Sequence, residues 1–353
     1  SSCTLVLITL GWTAPGAGVM LSLSLLQAED RFARFATVSL ISTVGGLLLG
    51  LVLLFTWERT AEVYALGGII GQVVALALGL AWTRPRLAGL FDKETLRRGL
   101  RLGIPLALAG LSTFLLTAGD RFIIQRMLGE VQVARYQVAF TIGNVVTLML
   151  TFTNRAWLPR LKNVVDDAQR WRVIATSRDG VFSLVAWAVL GITVAAPALL
   201  RVFAPSAYEQ EHLVSVVALI GLAAFPVAAA AASSQMLVTI RWSVPIAWAS
   251  ATAVAVKIVA TFALIIPLGL DGAALATFLA LLAQAVVLRI AVSRRHAPVR
   301  PAWRVVVLIV VAVAGCVVSV AAPQDLAWNI GRFAFACCCL VPFFLGLRKL
   351  QAG

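Results

Sequence analysis

The sequence predicts an all-α, polytopic membrane protein with about 11 transmembrane helices. Of its 353 residues, 61% are hydrophobic and only 12% are charged, and the mean hydropathy is +0.96. Soluble proteins carry roughly 25% charged residues. Apolar blocks of about 20 residues, enough to cross a hydrocarbon core of ~30 Å, recur from end to end. A soluble chain could bury one such helix but not a whole series.

Eleven apolar blocks define the predicted spans, each bounded by a short segment that contains charged or turn-forming residues. Proline lies inside several blocks, as at Pro15 and Pro197, and predicts kinked helices of the kind that neighbouring helices tolerate in a bundle. In chain order the predicted spans are 4–27, 36–56, 64–82, 102–119, 134–154, 180–200, 212–239, 243–267, 272–293, 304–322 and 327–347.

The basic residues predict the orientation of the chain. Of 29 Lys and Arg residues, 22 lie in or beside the segments after the odd-numbered spans, six lie on the other side, and Lys257 lies inside a span. Because cytoplasmic loops carry the excess of Lys and Arg, the C-terminus is predicted to be cytoplasmic. The two longest cytoplasmic segments, 83–100 and 160–180, have the pattern of amphipathic surface helices that face anionic membrane lipids.

Charge, cysteine and histidine patterns argue against several functional classes. The net charge of +14 resides in short loops between spans, so it predicts topology rather than nucleic-acid binding. The five cysteines lie in apolar blocks without CxxC spacing, so neither a metal site nor a disulfide framework is predicted. His212 and His296 lie in different loops, and the acids of the outer loops are isolated. No catalytic residues, enzyme activity or cofactor are therefore expected.

A series of motifs begins with the basic segment at residue 83. A span opens with a proline, carries Asp-Arg at its far end, and is followed by Leu-Gly; the next span starts with a tyrosine and closes with Trp-x-Pro. The motif residues are Pro105, Asp120, Arg121, Gly129, Tyr136, Trp157 and Pro159. In order and spacing they resemble the polysaccharide flippase branch of the multidrug/oligosaccharidyl-lipid/polysaccharide exporter superfamily. The segments 24–32 (SLLQAEDRF) and 266–277 (IPLGLDGAALAT) also match that branch.

The resemblance implies a domain organisation. Members of this superfamily have two six-helix lobes related by a pseudo-twofold axis, a cytoplasmic linker between them, and in this branch two extra helices. On that pattern the chain is expected to be a fragment of a 14-helix transporter that lacks helices 1 to 3. Residues 1–82 would form the rest of the N-lobe, 83–101 the linker, 102–293 the complete C-lobe, and 294–353 the extra pair.

The resemblance also implies a function. The expected activity is that of a bacterial inner-membrane flippase, which moves an undecaprenyl-diphosphate-linked oligosaccharide from the cytoplasmic to the outer leaflet by alternating access. A polysaccharide polymerase and glycosyltransferases of the same pathway are further expected partners. A cation-coupled multidrug exporter is an alternative, although it would need a buried acid, and no acid is predicted well inside a span. A membrane-embedded polymerase or glycosyltransferase is a second alternative, and a non-transporting scaffold is a third.

Lys257 is the strongest candidate for a contact with the substrate. It lies 14 residues after Ser243 and 10 before Pro267, roughly 21 and 15 Å from the two ends of its span. A lysine so deep in the bilayer either faces a hydrated cavity, where it could bind the diphosphate, or pairs with an acid of another helix. The sequence leaves both roles open.

Four weaker candidates lie near predicted span ends. Asp120 and Arg121 are predicted to close their helix at the outer interface, and Arg121 is also a candidate contact for the phosphate of the substrate. Asn154 and Arg155 lie near the predicted cytoplasmic mouth of the C-lobe and could meet the diphosphate on entry, although Arg155 also suits a topological anchor.

Three uncharged polar residues also lie inside predicted spans. Gln72, Asn144 and Gln284 could donate or accept hydrogen bonds, and the partner could be a sugar or a neighbouring helix. Contacts between helices are the commoner use of such residues.

Overall fold

The computed structural model describes residues 2–84, 93–151, 167–239, 242–294, 302–322 and 326–352. Within these ranges the regular secondary structure is entirely helical, which confirms the predicted all-α class. The chain divides into two compact units, unit 1 (Ser1–Leu102) and unit 2 (Gly103–Gly353).

Most of the described residues belong to long helices. Short non-α pieces are the π-helix Ile41–Gly45 and the 3₁₀ turns Ser206–Tyr208 and Gln210–His212. The α-helices are α1 (Ser2–Ala28), α2 (Phe32–Leu40), α3 (Gly46–Thr56), α4 (Ala61–Thr83), α5 (Lys93–Leu128), α6 (Glu130–Gly143), α7 (Val145–Thr151), α8 (Asp167–Phe203), α9 (Leu213–Leu222), α10 (Ala224–Thr239), α11 (Val244–Ser293), α12 (Trp303–Ala321) and α13 (Leu326–Ala352).

The membrane-spanning potential of the chain is spread over both units. In the described part of the chain, seven helices are long and apolar enough to cross a membrane, or eight if the pair α6 and α7, bent by 48°, counts as one span. Each of the eleven predicted spans overlaps described helical residues. Two of them, 243–267 and 272–293, fall in the 50-residue α11, which breaks at Gly269, where φ is 57° and ψ is −128°.

Unit 1 is built on close contacts between glycines. The helical segment from α2 through the π-helix to α3 packs against α4, which begins at a Thr60 cap whose hydroxyl accepts from the Val63 N–H. A Cβ on Gly67 would lie 2.3 Å from Gly50 Cα, and one on Gly71 would lie 2.5 Å from Gly46 Cα. Small residues therefore let α3 and α4 approach backbone to backbone, as is usual in membrane helix pairs.

Unit 2 has a core to which five helices contribute. Ile124 of α5, Tyr136 of α6, Leu200 of α8, Ile220 of α9 and Ile265 of α11 are all buried in one cluster. On α5 and α11, large apolar side chains such as Phe122, Val259 and Ile266 are exposed, which suits contact with lipid rather than water. The core thereby fixes α5, α6 and α11 next to one another.

The last two helices, α12 and α13, pack against α8. Cys316 and Ser319 of α12 both bond to Thr193 of α8, through its hydroxyl (3.4 Å) and its carbonyl (3.2 Å) respectively. The Ala302 N–H, just before α12, donates to the Asp179 carboxylate at 3.0 Å. The predicted assignment of 294–353 as a separate extra pair, and the other predicted domain limits, remain predictions.

Candidate functional site

A stripe of residues along α11 faces the interior of unit 2. Ala249, Ala253, Lys257, Thr261 and Ile265 recur at every fourth position and are all buried. This spacing places them on one face of the helix. On the other side, Val259 is 68% exposed and Ile266 is 77% exposed. Lys257 is thus directed by its position on the helix toward neighbouring helices and away from lipid.

Lys257 forms an ion pair with Asp120 of α5. Its Nζ lies 3.2 Å from Asp120 Oδ2. It also donates to the backbone carbonyl of Leu116, which lies one turn before Asp120 on α5. Lys257 is 2% exposed and Asp120 is 0% exposed. Burial of either charge alone would be costly, and the pairing offsets that cost.

Asp120 has further partners on three helical segments. The Tyr136 hydroxyl donates to Oδ2 at 2.6 Å, and the Thr277 hydroxyl reaches the same oxygen at 3.4 Å. Arg121 NH1 lies 3.4 Å from Oδ1. We call Asp120, Arg121, Tyr136, Lys257 and Thr277 the buried-acid cluster. It joins α5, α6 and both halves of α11.

The break in α11 brings both of its halves into the cluster. Gly269 has a positive φ that L-residues rarely adopt, and after it the helix resumes toward Thr277. A Cβ on Gly272 would lie 2.1 Å from the Leu264 carbonyl oxygen, so only glycine permits the two halves to meet this closely. The break is therefore what allows Lys257 and Thr277, on opposite sides of it, to reach one carboxylate.

Arg121 lies at the accessible margin of the cluster. Its side chain is 21% exposed. NH1 donates to the Thr117 carbonyl at 2.6 Å, Nε donates to Gln137 Oε1, and the guanidinium carbon lies 4.6 Å from the centre of the Phe140 ring. The guanidinium is held in place mainly by neutral groups and a ring face. Of the two cations in the cluster, it is the more accessible.

The chemistry available to this cluster is electrostatic. Its two cations face one carboxylate, the Tyr136 hydroxyl donates to Oδ2, and the Thr277 hydroxyl, which also donates to the Ala273 carbonyl at 3.1 Å, lies 3.4 Å from the same oxygen. Across the described ranges, no group of three or more His, Cys, Asp or Glu side chains is arranged to hold a metal ion. Such a cluster can fix helices together, or exchange one charged partner for another when they separate.

The structure brings three predicted site residues together. Asp120, Arg121 and Lys257 meet in one cluster, and of the two roles left open for Lys257, pairing with an acid is the one seen in this conformation. Tyr136, predicted only as a motif residue, is fully buried and bonds to Asp120. Gly129, with φ of 91°, makes the turn between α5 and α6.

Two expectations about Asp120 are wrong. It was predicted to close its helix, but α5 continues for eight residues to Leu128, because the apolar positions Ile123 and Ile124 extend the pattern beyond the charged pair. No acid was predicted deep within a span, yet Asp120 is fully buried and pairs with Lys257, which lies far from both ends of its predicted span.

Several predicted residues receive no structural account. Pro105 lies in α5, whereas Asn154, Arg155, Trp157 and Pro159 lie outside the described residues. The expected roles of Asn154 and Arg155 at the cytoplasmic mouth remain predictions.

Two members of the site were not predicted. Thr277 closes the motif IPLGLDGAALAT, but the contact that gives it a role joins positions 157 residues apart. The Leu116 carbonyl contributes through the backbone and has no signal in the sequence at all.

The fold and the site together define a polytopic, all-helical membrane protein with a charged pair buried among its helices. The chain belongs to a family of polysaccharide biosynthesis proteins, whose model matches residues 6–210. This confirms the family resemblance predicted from the motifs. A search of curated proteins finds no match.

A comparison with solved structures identifies the fold. The chain is similar to a structure described as lipid II flippase MurJ in an inward closed conformation, with a TM-score of 0.71 and 15% sequence identity. The match covers 98% of this chain and 74% of the other. At this identity the likeness establishes a shared fold.

Proposed function

We propose that the protein is a flippase that moves an undecaprenyl-diphosphate-linked oligosaccharide, such as an O-antigen, capsule or exopolysaccharide repeat unit, from the cytoplasmic to the outer leaflet by alternating access. The observation that carries the proposal is the conjunction of the two comparisons. A polysaccharide biosynthesis family covers residues 6–210, and a fold shared with a lipid flippase extends over 98% of the chain. The bacterial inner membrane and a cytoplasmic C-terminus belong to the same proposal.

The physical need for such a protein follows from the substrate. A lipid-linked oligosaccharide carries an anionic diphosphate and hydrated sugars, and neither crosses hydrocarbon unaided. A protein that moves it must supply polar contacts within the membrane and a surface for the lipid chain. Both kinds of surface are present in the described residues.

An apolar cavity in unit 2 suits the lipid part of such a substrate. Its volume is about 300 Å³, and it lies between α7, α8 and α13. Met149, Trp187, Phe333 and Phe343 are among its lining residues, and the cavity surface is almost wholly apolar. An isoprenoid or acyl chain is the kind of ligand that such a surface accepts.

The buried-acid cluster supports a refined assignment of the phosphate contact. Arg121 is the cation of the cluster that a diphosphate could approach without breaking the ion pair, since its side chain is 21% exposed. Lys257 is 2% exposed and could meet the phosphate only after it separates from Asp120. We therefore assign a phosphate contact to Arg121 in this conformation and one to Lys257 in a conformation in which the ion pair is open.

The alternative of a cation-coupled drug exporter depends on Asp120. A buried acid is present, but in this conformation its charge is matched by Lys257 and Arg121. An exporter that binds its coupling cation at this acid would have to displace a built-in ammonium group first. The flippase is accordingly the better-supported function.

Cells provide the test of the proposal. Deletion of the gene should cause lipid-linked oligosaccharide to accumulate with its sugars facing the cytoplasm, and surface glycan should be lost. The wild-type gene should restore surface glycan, Asp120→Asn should not, and Asp271→Asn should. Asp271 is the matched control, because its carboxylate accepts a 2.6 Å bond from Ser215 outside the cluster. Normal surface glycan after deletion would refute the proposed function.

A further inference from the structure

A second cavity lies within unit 1, among α1, the π-helix, α3 and α4. Its volume is about 190 Å³, whereas ~10–15 Å³ suffices for one water molecule. No described residue that lines it is charged. The rings and polar side chains of its lining are Trp12, Ser42, Thr43, Tyr64 and Gln72.

Gln72 lies at the midpoint of its span. It is 11 residues from each end of the 23-residue helix Ala61–Thr83, or roughly 16 Å at 1.5 Å per residue. Its Oε1 atom is buried and has no hydrogen-bond partner among the described residues. By contrast, Gln284 in unit 2 donates to the Ser250 hydroxyl at 3.4 Å. Of the two amides, Gln284 bonds within the fold, whereas Gln72 lines the cavity and its Oε1 atom has no partner among the described residues.

The π-helix supplies two more acceptors to the same wall. The Ser42 and Thr43 hydroxyls both donate to the Ser39 carbonyl, at 3.0 and 2.7 Å. Because a hydroxyl has one hydrogen and two lone pairs, each oxygen can still accept a bond from a ligand. Single turns of π-helix often occur at functional sites.

Trp12 forms another part of the wall, and a glycine positions it. A Cβ on Gly68 would lie 2.5 Å from Cη2 of the Trp12 ring. The absence of a side chain at Gly68 therefore lets the indole lie against the backbone of α4. Tyr64, which is 37% exposed, adds a second ring to the lining.

The chemistry of this lining selects a class of ligand. Hydroxyl and amide oxygens accept hydrogen bonds, so the ligand should present several donors. No lysine or arginine is among the described lining residues, which disfavours a phosphate, because phosphates are bound by cations and by N–H donors. Aromatic rings give an apolar surface beside the polar groups. An uncharged sugar ring, with hydroxyl groups at its edge and C–H groups on its face, meets all of these conditions.

We propose that the cavity in unit 1 is a carbohydrate subsite, in which Gln72, Ser42 and Trp12 hold one sugar ring of the transported lipid-linked oligosaccharide. This inference rests on the proposed function and extends it. The subsite would let the protein distinguish a glycosylated carrier lipid from the same carrier without sugar.

The test compares two lipids on the intact protein in lipid nanodiscs. One probe is the pool of lipid-linked oligosaccharides extracted from the membranes of the host, and the other is sugar-free undecaprenyl diphosphate. Gln72→Leu should weaken binding of the first about tenfold, the factor for one lost hydrogen bond, and leave the second unchanged. Ser42→Ala should act in the same direction with a smaller loss. Gln284→Leu, which removes an amide bonded within unit 2, is the matched control and should change neither affinity.

Each outcome decides a different question. If Gln72→Leu and Ser42→Ala leave the preference for the glycosylated lipid intact, or weaken both lipids equally, the subsite is refuted while the flippase proposal stands. A change in sodium dependence without a change in sugar preference would make the cavity a cation site and would also refute the inference. If the wild-type protein binds neither lipid, the proposed function itself fails. Ser42→Ala keeps the test decisive should Gln72→Leu not fold.

Discussion

The two units handle polar groups inside the membrane differently. In unit 2 the fully buried Asp120 is met by side chains from Lys257, Tyr136, Thr277 and Arg121. In unit 1 the Gln72 Oε1 atom is buried at the midpoint of a span without a hydrogen-bond partner among the described residues. The buried carboxylate in unit 2 has charged and hydrogen-bonding partners, whereas the buried amide oxygen in unit 1 has none among the described residues.

This difference separates two uses of intramembrane polarity. A buried charge is tolerated only when it is paired, so a complete cluster stabilises the packing of the helices that provide its members. An amide oxygen without a partner adds no hydrogen bond to the fold, and a ligand that donates to it would supply that bond. Substitutions that break the Asp120–Lys257 pair should therefore reduce stability as well as transport, whereas substitution of Gln72 should affect recognition of the sugar alone.

The largest loss of stability is expected when one partner of the ion pair is removed. Lys257→Met leaves Asp120 buried without its nearest cation, which should cost about 3–5 kcal/mol in the free energy of unfolding. Unfolding by SDS titration in mixed micelles measures this quantity. Wild-type stability for Lys257→Met would show that the pair does not hold the helices together.

A double variant refines this prediction. Asp120→Asn combined with Lys257→Met removes both charges, so it should recover much of the stability lost by Lys257→Met alone. If the double variant is as unstable as the sum of the single variants, the two side chains do not act as a pair.

Tyr136→Phe should have the next largest effect. It removes a 2.6 Å hydrogen bond to a fully buried carboxylate, and bonds to charged groups are worth about 1.5–3 kcal/mol. The same unfolding titration measures the loss. Tyr64→Phe in unit 1 is the matched control and should stay close to wild type, since Tyr64 is 37% exposed. Equal losses for the two variants would indicate that the bond to Asp120 is not special.

Thr277→Val should have a smaller effect. The Thr277 hydroxyl lies 3.4 Å from Asp120 Oδ2, a long bond, and the substitution keeps the shape of the side chain. We expect a loss of about 0.5–1.5 kcal/mol. Thr252→Val, which removes a bond to a carbonyl of its own helix, serves as the control for changing a hydroxyl to a methyl group. A loss as large as that of Lys257→Met would contradict the ranking within the cluster.

Gln72→Leu should be the least harmful to stability. Because the buried amide oxygen makes no hydrogen bond, an apolar replacement of similar size should leave the free energy of unfolding within about 0.5 kcal/mol of wild type, or raise it. Thermal unfolding in detergent checks the direction. A loss of stability comparable to that of Tyr136→Phe would show that Gln72 is a structural residue after all.

Most of the fold could be predicted from the sequence, because the thickness of the bilayer determines the length of each hydrophobic block. Every predicted span overlaps a described helix, and the break at Gly269 falls between the predicted spans 243–267 and 272–293. The extent of α5 was not predicted, because the charged pair at 120 and 121 was interpreted as a helix end. A charge marks the end of a span only when no partner is present to bury it.

The site was harder to predict from the sequence than the fold, because the residues that contact one another in it are distant in sequence. Lys257 was recognised from its depth in the span, but a single sequence cannot tell whether such a lysine faces water or an acid. Asp120 and Lys257 were both candidates, yet their pairing depends on the position of α5 in the core, and the contact of Thr277 with Asp120 depends on the break in α11. For the same reason, Gln72 and Gln284 were indistinguishable until their surroundings were known.

The most direct test of the central claim is a transport measurement on the intact protein in sealed vesicles that contain fluorescent lipid-linked oligosaccharide. A membrane-impermeant glycosidase is added outside, and the fraction of lipid that loses its sugars is followed over time. We predict that the protein makes the protected inner pool accessible, that Asp120→Asn slows this transfer, and that Asp271→Asn does not. An inner pool that stays as protected as in protein-free vesicles would contradict the proposed function.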